Sequence, residues 1–227
     1  MTIRAVAVVI PARNEEALIG RCLESVLAAA ELCSVPVHVT VVADACTDRT
    51  AEIAHGFEGV HVLDVTEANV GRARAVGVTW AMHRARVATS TLWIANTDAD
   101  SVVPPNWIAD QIELGARGTD LVIGTVRPDF DDLSPEQIAA WHAGHVPGKP
   151  NGHVHGANLG IRGSVYEAAK GFAPLAEHED VDLVARCAAL GCVTLASDDF
   201  EVRTSGRQYG RTEGGYARYL REELLNT

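Results

Sequence analysis

Residues Ala5 to Ile10 read AVAVVI, an apolar run without polar alternation that stops at Pro11. Such a strand has apolar side chains on both faces, so it must be covered on both, as in a parallel sheet with helices above and below. The next stretch supplies one cover: Ile19, Cys22, Leu23, Val26, Leu27 and Ala30 recur at helical spacing. Asn14 is expected to cap that helix, with Glu15 and Glu16 in its first turn. Two further strand-like runs, Val37 to Val42 and Val60 to Val65, flank a short helix expected over Thr50 to Ala54. A helix over Val70 to Arg86 then leads to a fourth strand, Leu92 to Ala95. Alternation of this kind implies right-handed crossovers and an α/β fold, with a mostly parallel, Rossmann-like sheet flanked by helices. Ligands are expected at the carboxyl edge of its strands.

Past Pro104 the order changes. A helix is expected near Trp107 to Leu114, a strand at Leu121 to Val126, a helix near Pro135 to His142 and a last helix over Asp180 to Leu190. Between the last two lies GHVPGKPNGHVHG, Gly144 to Gly156, whose glycines and prolines read as a loop that is mobile or ordered by a ligand. The tail from Arg203 is basic, and a chain of 227 residues fits one large domain.

Composition narrows the partners. A net charge of -11 argues against nucleic acid or an anionic membrane, either of which selects a basic surface. The five cysteines, Cys22, Cys33, Cys46, Cys187 and Cys192, form no C-x-x-C pair and read as reduced. The apolar stretch near the N-terminus is too short for a signal peptide and no later one spans a bilayer, so the expected location is the cytoplasm.

The polar residues that carry chemistry fall at strand ends. Asp98 and Asp100 stand two apart after the fourth strand, so both carboxylates can face one side and hold a hard divalent cation; they also suit a solvated turn. Asp44 and Asp48 follow the second strand, where a carboxylate can accept a hydrogen bond from a base or ribose, or make a turn and cap, the reading preferred for Asp48. Asn69-Val70-Gly71-Arg72-Ala73-Arg74 opens a helix with positive charge at its N-terminus, which attracts phosphate, although solvated arginines fit the same pattern. Glu179 and Asp180 begin a helix whose dipole favours the ionised state a general base needs, and acidic first turns are also ordinary helix chemistry. Arg203, Arg207 and Arg211 recur every four residues and either clamp a diphosphate or pair with Glu201 and Glu213. His142, His145, His153 and His155 match no structural zinc spacing, which leaves one of them free to contact an acceptor or a catalytic metal.

In their order these pieces resemble family 2 glycosyltransferases of the GT-A fold. The carriers are Val9-Ile10-Pro11-Ala12-Arg13-Asn14-Glu15-Glu16, the segment Val42 to Thr50, Gly71 to Gly77, Thr97-Asp98-Ala99-Asp100, Gly156-Ala157-Asn158 with Gly171-Phe172, and Glu179-Asp180. The resemblance implies one GT-A domain over residues 1–227: a nucleotide-sugar-binding half (1–103), a smaller, mixed acceptor-side half (104–202) and a basic tail (203–227). It implies donor contacts from Pro11, Asn14, Glu15, Asp44 and Arg74, to which Asp98 and, by their charge and spacing, Arg207 and Arg211 are added, and Mn²⁺ or Mg²⁺ on Asp100 and Asp98. Asp180 is the implied catalytic base, with Asn158 and Glu179 on the acceptor side. The implied reaction is an inverting transfer from a nucleotide diphosphate sugar to a small or soluble hydroxyl acceptor. Two positions depart from the family pattern: Ala43 stands where an aspartate is common, and Ala75 where an asparagine often follows the arginine. A sugar-phosphate nucleotidyltransferase would carry a glycine-rich, basic signature after the first strand, where this chain has Pro-Ala-Arg-Asn-Glu-Glu. A non-catalytic nucleotide-sugar binding protein is the third reading.

Overall fold

The computed structural model describes residues 2–210 and 214–226. Among them, seven strands form one sheet: β1 (Ala5–Ala12), β2 (Val37–Asp44), β3 (Val60–Val65), β4 (Leu92–Asn96), β5 (Leu121–Pro128), β6 (Leu159–Arg162) and β7 (Thr194–Thr204). Their order is β3-β2-β1-β4-β6-β5-β7. The first four strands are mutually parallel; β6 runs antiparallel to both β4 and β5, and β7 returns parallel to β5. The interleaved helices are α1 (Ile19–Glu31), α2 (Thr50–His55), α3 (Val70–Ala85), α4 (Trp107–Ala116), α5 (Pro135–Gly144), α6 (Gly163–Ala168) and α7 (Glu179–Ala189).

The run that opens the chain explains the layering. Strand side chains alternate, so Val6, Val8 and Ile10 share one core with Ile19, Leu23 and Val26 of α1 and with Trp107 and Ile108 of α4. Ala5, Ala7 and Val9 face the other way, into a core with Val78 and Ala81 of α3 and Leu183 and Cys187 of α7. Each large aliphatic side chain so covered contributes roughly 1.5–3 kcal/mol. The second face carries small residues because α3 lies close: a β-carbon on Gly77 would come within 2.6 Å of Val9 Cγ1 and 2.8 Å of Val42 Cγ2.

Three expectations need correction. Asn14 does not cap α1, which begins at Ile19 with no acidic residue in its first turn; its Oδ1 instead accepts from the Thr47 amide at 2.7 Å, tying the loop after β1 to the loop after β2. The segment expected to lead only into the last helix holds β6 and α6 as well. The tail boundary expected at residue 203 falls inside β7, which carries the chain back along β5 to Thr204. No helix among the described residues is long and apolar enough to cross a membrane.

Candidate functional site

A cleft of about 890 Å³ opens at the carboxyl ends of β1, β2 and β4, where an open α/β sheet gathers its ligands. Pro11, Glu15, Asp44, Arg74, Asp98, Asp100, Glu179, Asp180 and Arg207, nominated from strand ends, helix starts, the arginine spacing of the tail or the family resemblance, all line it. Asn14 lies in an adjoining hollow.

Arg74 is the keystone of one wall. Projecting from α3, it is fully buried, and its Nε donates to Glu179 Oε1 at 2.9 Å while Nη2 donates to Asp98 Oδ1 at 2.5 Å. One guanidinium thereby ties α3 to the end of β4 and the start of α7. A side chain at Gly156 would collide with it, so the glycine is a condition of the pairing. Burial disfavours the charge on Arg74, yet Asp98 and Glu179 outweigh burial and hold its pKa above the ordinary arginine value. Burial raises the Glu179 carboxyl, against the pull of Arg74. Nη1 of Arg74 is buried with no hydrogen-bond partner, a donor still to be satisfied.

A second cluster forms two residues along. Arg207 Nη2 donates to Asp100 Oδ2 at 2.6 Å and Nη1 lies 2.8 Å from Glu15 Oε1. Burial pushes the Asp100 carboxyl up to about 6; Arg207 pulls it down, while Asp98 and Glu15 push the same way as burial. Glu15, Asp98 and Asp100 gather at this corner, and a hard divalent ion suits such carboxylate oxygens. Among the described residues no three His, Cys, Asp or Glu side chains stand close enough to hold a metal by themselves. The fitting pattern is therefore that of Mg²⁺ or Mn²⁺ on one or two carboxylates, completed by donor oxygens and water.

Asp44 fixes the backbone opposite. Its Oδ1 and Oδ2 accept from the amides of Ala68 and Asn69, each at 2.8 Å, and hold Ala68 at φ 50°. That left-handed geometry costs a non-glycine residue on the order of 1–3 kcal/mol, and such strain gathers at working sites. Asn69 then caps α3 by accepting from the Arg72 amide at 2.9 Å. Asp48 accepts from the amide of Thr50, the turn role preferred for it.

Asp180 lies across the cleft in the first turn of α7. Oδ2 accepts from the Gly156 amide at 2.6 Å and Oδ1 from the Val181 amide at 2.8 Å. Beside it His155 packs edge-on against Tyr216 at 5.7 Å, and Tyr216 stacks on Tyr219 at 5.8 Å. Burial pulls the His155 imidazole down to about 4, against the opposing charge of Asp180. This aromatic wall was missed in the sequence, where the Tyr216 and Tyr219 spacing in the tail was its one signal.

Two nominated side chains lie elsewhere. Asn158 is fully buried in the core: Nδ2 donates to the Thr125 and Phe200 carbonyls and Oδ1 accepts from Trp107 Nε1, so it does not face an acceptor. Arg203, on β7, pairs with Asp129 at 3.5 Å, outside the cleft. Arg211 lies outside the described residues.

Fold and cleft together define an α/β protein with an open cleft at the carboxyl edge of parallel strands. The model of glycosyl transferase family 2 matches residues 7–163, more than half of the chain, and the chain belongs to that family. It is 37% identical over 97 residues to 4,4'-diaponeurosporenoate glycosyltransferase of Staphylococcus aureus, which covers 43% of this chain and 24% of the relative. Among solved structures, S. aureus TarS 1–349 in complex with UDP-GlcNAc superposes with a TM-score of 0.71 at 16% identity, covering 94% of this chain and 62% of that one. The mannosyltransferase PcManGT from Pyrobaculum calidifontis, in complex with GDP-Man and Mn²⁺, gives 0.67 at 21% identity, covering 93% and 59%. The shared fold is GT-A. The chain thus spans about a quarter of the curated relative and about three fifths of these two structures.

Proposed function

We propose that the chain transfers a sugar from a nucleotide diphosphate donor to the hydroxyl of a small or soluble acceptor, with Mn²⁺ or Mg²⁺ and with inversion at the anomeric carbon. One observation carries the reading: in a family 2 chain, a single cleft is lined by the Asp98–Asp100 pair, Arg74 and Asp180. The UDP-GlcNAc of the TarS complex and the GDP-Man and Mn²⁺ of the PcManGT complex support a nucleotide sugar and a divalent ion as ligands in this reading.

Pro11 and Asp44 line the nucleoside end of the cleft in this reading, as Glu15 does behind Arg207. Asn14 acts from behind by fixing the loop through Thr47. Arg74 brings positive charge to the diphosphate side of the cleft, and Arg207 offers a second cationic partner. Asp98 and Asp100 would hold the metal, which when bound neutralises charge on the departing diphosphate. Asp180 takes the acceptor proton as that oxygen attacks the anomeric carbon and the bond to the diphosphate breaks. Glu179 supports this chemistry from behind by holding Arg74. The five unpaired thiols suit a reducing compartment, hence the cytoplasm. Family membership sets aside a nucleotidyltransferase.

The test is incubation with UDP-, GDP- and TDP-sugars, Mn²⁺ and a panel of hydroxyl acceptors. One donor is turned over, and Asp180→Asn lowers transfer by at least roughly a hundredfold with little change in donor affinity. Donor binding without turnover in the wild type would leave a non-catalytic binding protein. Normal transfer by Asp180→Asn would remove the base assignment.

A further inference from the structure

The second guanidinium of the cleft occupies one of the two carboxylates a divalent ion would use, Asp100, together with Glu15. The Arg207 fork spans Asp100 Oδ2 at 2.6 Å and both Glu15 oxygens, at 2.8 and 3.0 Å. Those two acids are almost fully buried, with side chains 12% and 7% exposed, whereas the Arg207 side chain is 30% exposed. The backbone under Arg207 is pinned: the Gly206 amide donates to Asp132 Oδ2 at 2.8 Å, and a β-carbon at 206 would come within 2.5 Å of the Asp129 carbonyl. The guanidinium can therefore leave the acids by rotating its own stem while the chain stays in place.

We infer that Arg207 is a built-in counter-cation that closes the Asp100 side of the metal site in the donor-free protein, so that divalent ion and nucleoside diphosphate enter together. The inference rests on the metal reading above and adds an order of events to it. A guanidinium and a divalent ion cannot share Asp100 without strong mutual repulsion, so the ion must displace the arginine. Displacement alone strands a positive charge in the cleft. A diphosphate gives that charge a new anionic partner as the ion takes the carboxylates. Two ligands that remove the same obstacle raise each other's affinity by the same factor, and the obstacle lowers the apparent affinity of either one alone.

Mn²⁺ binding is measured on the full chain from loss of the electron paramagnetic resonance signal of the free ion, alone and with UDP or GDP. The result is corrected for ion held by free nucleotide. Wild type is expected to bind Mn²⁺ weakly alone and about tenfold more tightly with one of the nucleotides. Arg207→Gln binds Mn²⁺ about tenfold more tightly than wild type without nucleotide and gains less from adding it, whereas Arg207→Lys, which keeps the charge, stays near wild type. Equal nucleotide-free affinity in wild type and Arg207→Gln overturns the inference and leaves the metal reading standing. Mn²⁺ bound by no protein under any condition overturns both. Should Arg207→Gln not fold, wild type decides: Mn²⁺ binding as tight without nucleotide as with it overturns the inference.

Discussion

Asp98 and Asp100 are two residues apart on one strand end, yet the regions they face are built differently. On the Asp98 side, Arg74 is sealed from solvent and joins three elements through Glu179, Asp98 and the close approach of Gly156. On the Asp100 side, Arg207 reaches its acids from an irregular segment after β7 and keeps contact with solvent. Both are arginine–carboxylate clusters with bonds of similar length. Burial and attachment separate them: the first is framework, and the second holds charges that a ligand can exchange.

The largest effect should follow from breaking the framework side. Arg74→Met removes the charge but keeps an apolar stem, leaving Glu179 buried without its partner. Loss of one member of a buried pair costs about 3–5 kcal/mol, to be read from urea denaturation. Arg74→Met combined with Glu179→Gln should recover part of that. A loss below about 1 kcal/mol would show that this side is no more structural than a surface pair.

A smaller effect of opposite sign is expected at Asp100. Its carboxyl stands at about 6 in the folded chain, above the ordinary value of 3.8, so the folded state holds its proton more tightly than the unfolded state. Stability from that proton is present below pH 3.8 and is lost as the pH rises through about 6. Asp100→Asn escapes the loss. Relative to wild type it should gain on the order of 2 kcal/mol between about pH 4 and pH 7.5 while metal-dependent transfer disappears. A stability difference that does not change with pH would mean Asp100 is as well solvated as a surface acid.

The donor side was legible because its signals are local. β1, β2 and β4 are apolar runs followed by a turn, and β1 and β2 have parallel neighbours on both edges, so period and burial agree there. The other side hides its strands. β6 has four residues, Leu-Gly-Ile-Arg, and its partners on β4 lie more than sixty residues earlier. β7 is an edge strand containing Ser197, Asp198, Asp199 and Glu201, and a polar edge carries no apolar run to read. The site divides the same way. Strand ends marked Asp44, Asp98 and Asp100 and a helix start marked Asp180, because the sheet's topology brings those ends to one cleft. Pairings could not be read. Arg74 looked like a phosphate ligand and proved first to be a partner of Glu179; Asn158 looked like an acceptor contact and is held by three core hydrogen bonds. Spacing along a chain does not say which of two nearby groups an arginine or an amide will meet.

The smallest effect tests whether the two sides differ in kind. Arg207→Gln should cost less than Arg74→Met, because the guanidinium it removes is partly exposed to solvent whereas Arg74 is not. Asp100 then loses its bond to Arg207, and Mn²⁺ can take the place of that cation. A ligand that binds only the folded state at a hundred times its dissociation constant adds about 2.7 kcal/mol. Saturating Mn²⁺ should therefore restore the variant fully, and raise its melting temperature more than that of wild type, where part of the binding energy is spent displacing the arginine. Arg74→Met should be restored only in part in the same titration, since Mn²⁺ can take the guanidinium's place at Asp98 but not at the buried Glu179. Mn²⁺ shifts of equal size in wild type, Arg207→Gln and Arg74→Met would erase the distinction between the two sides and leave both arginines as framework.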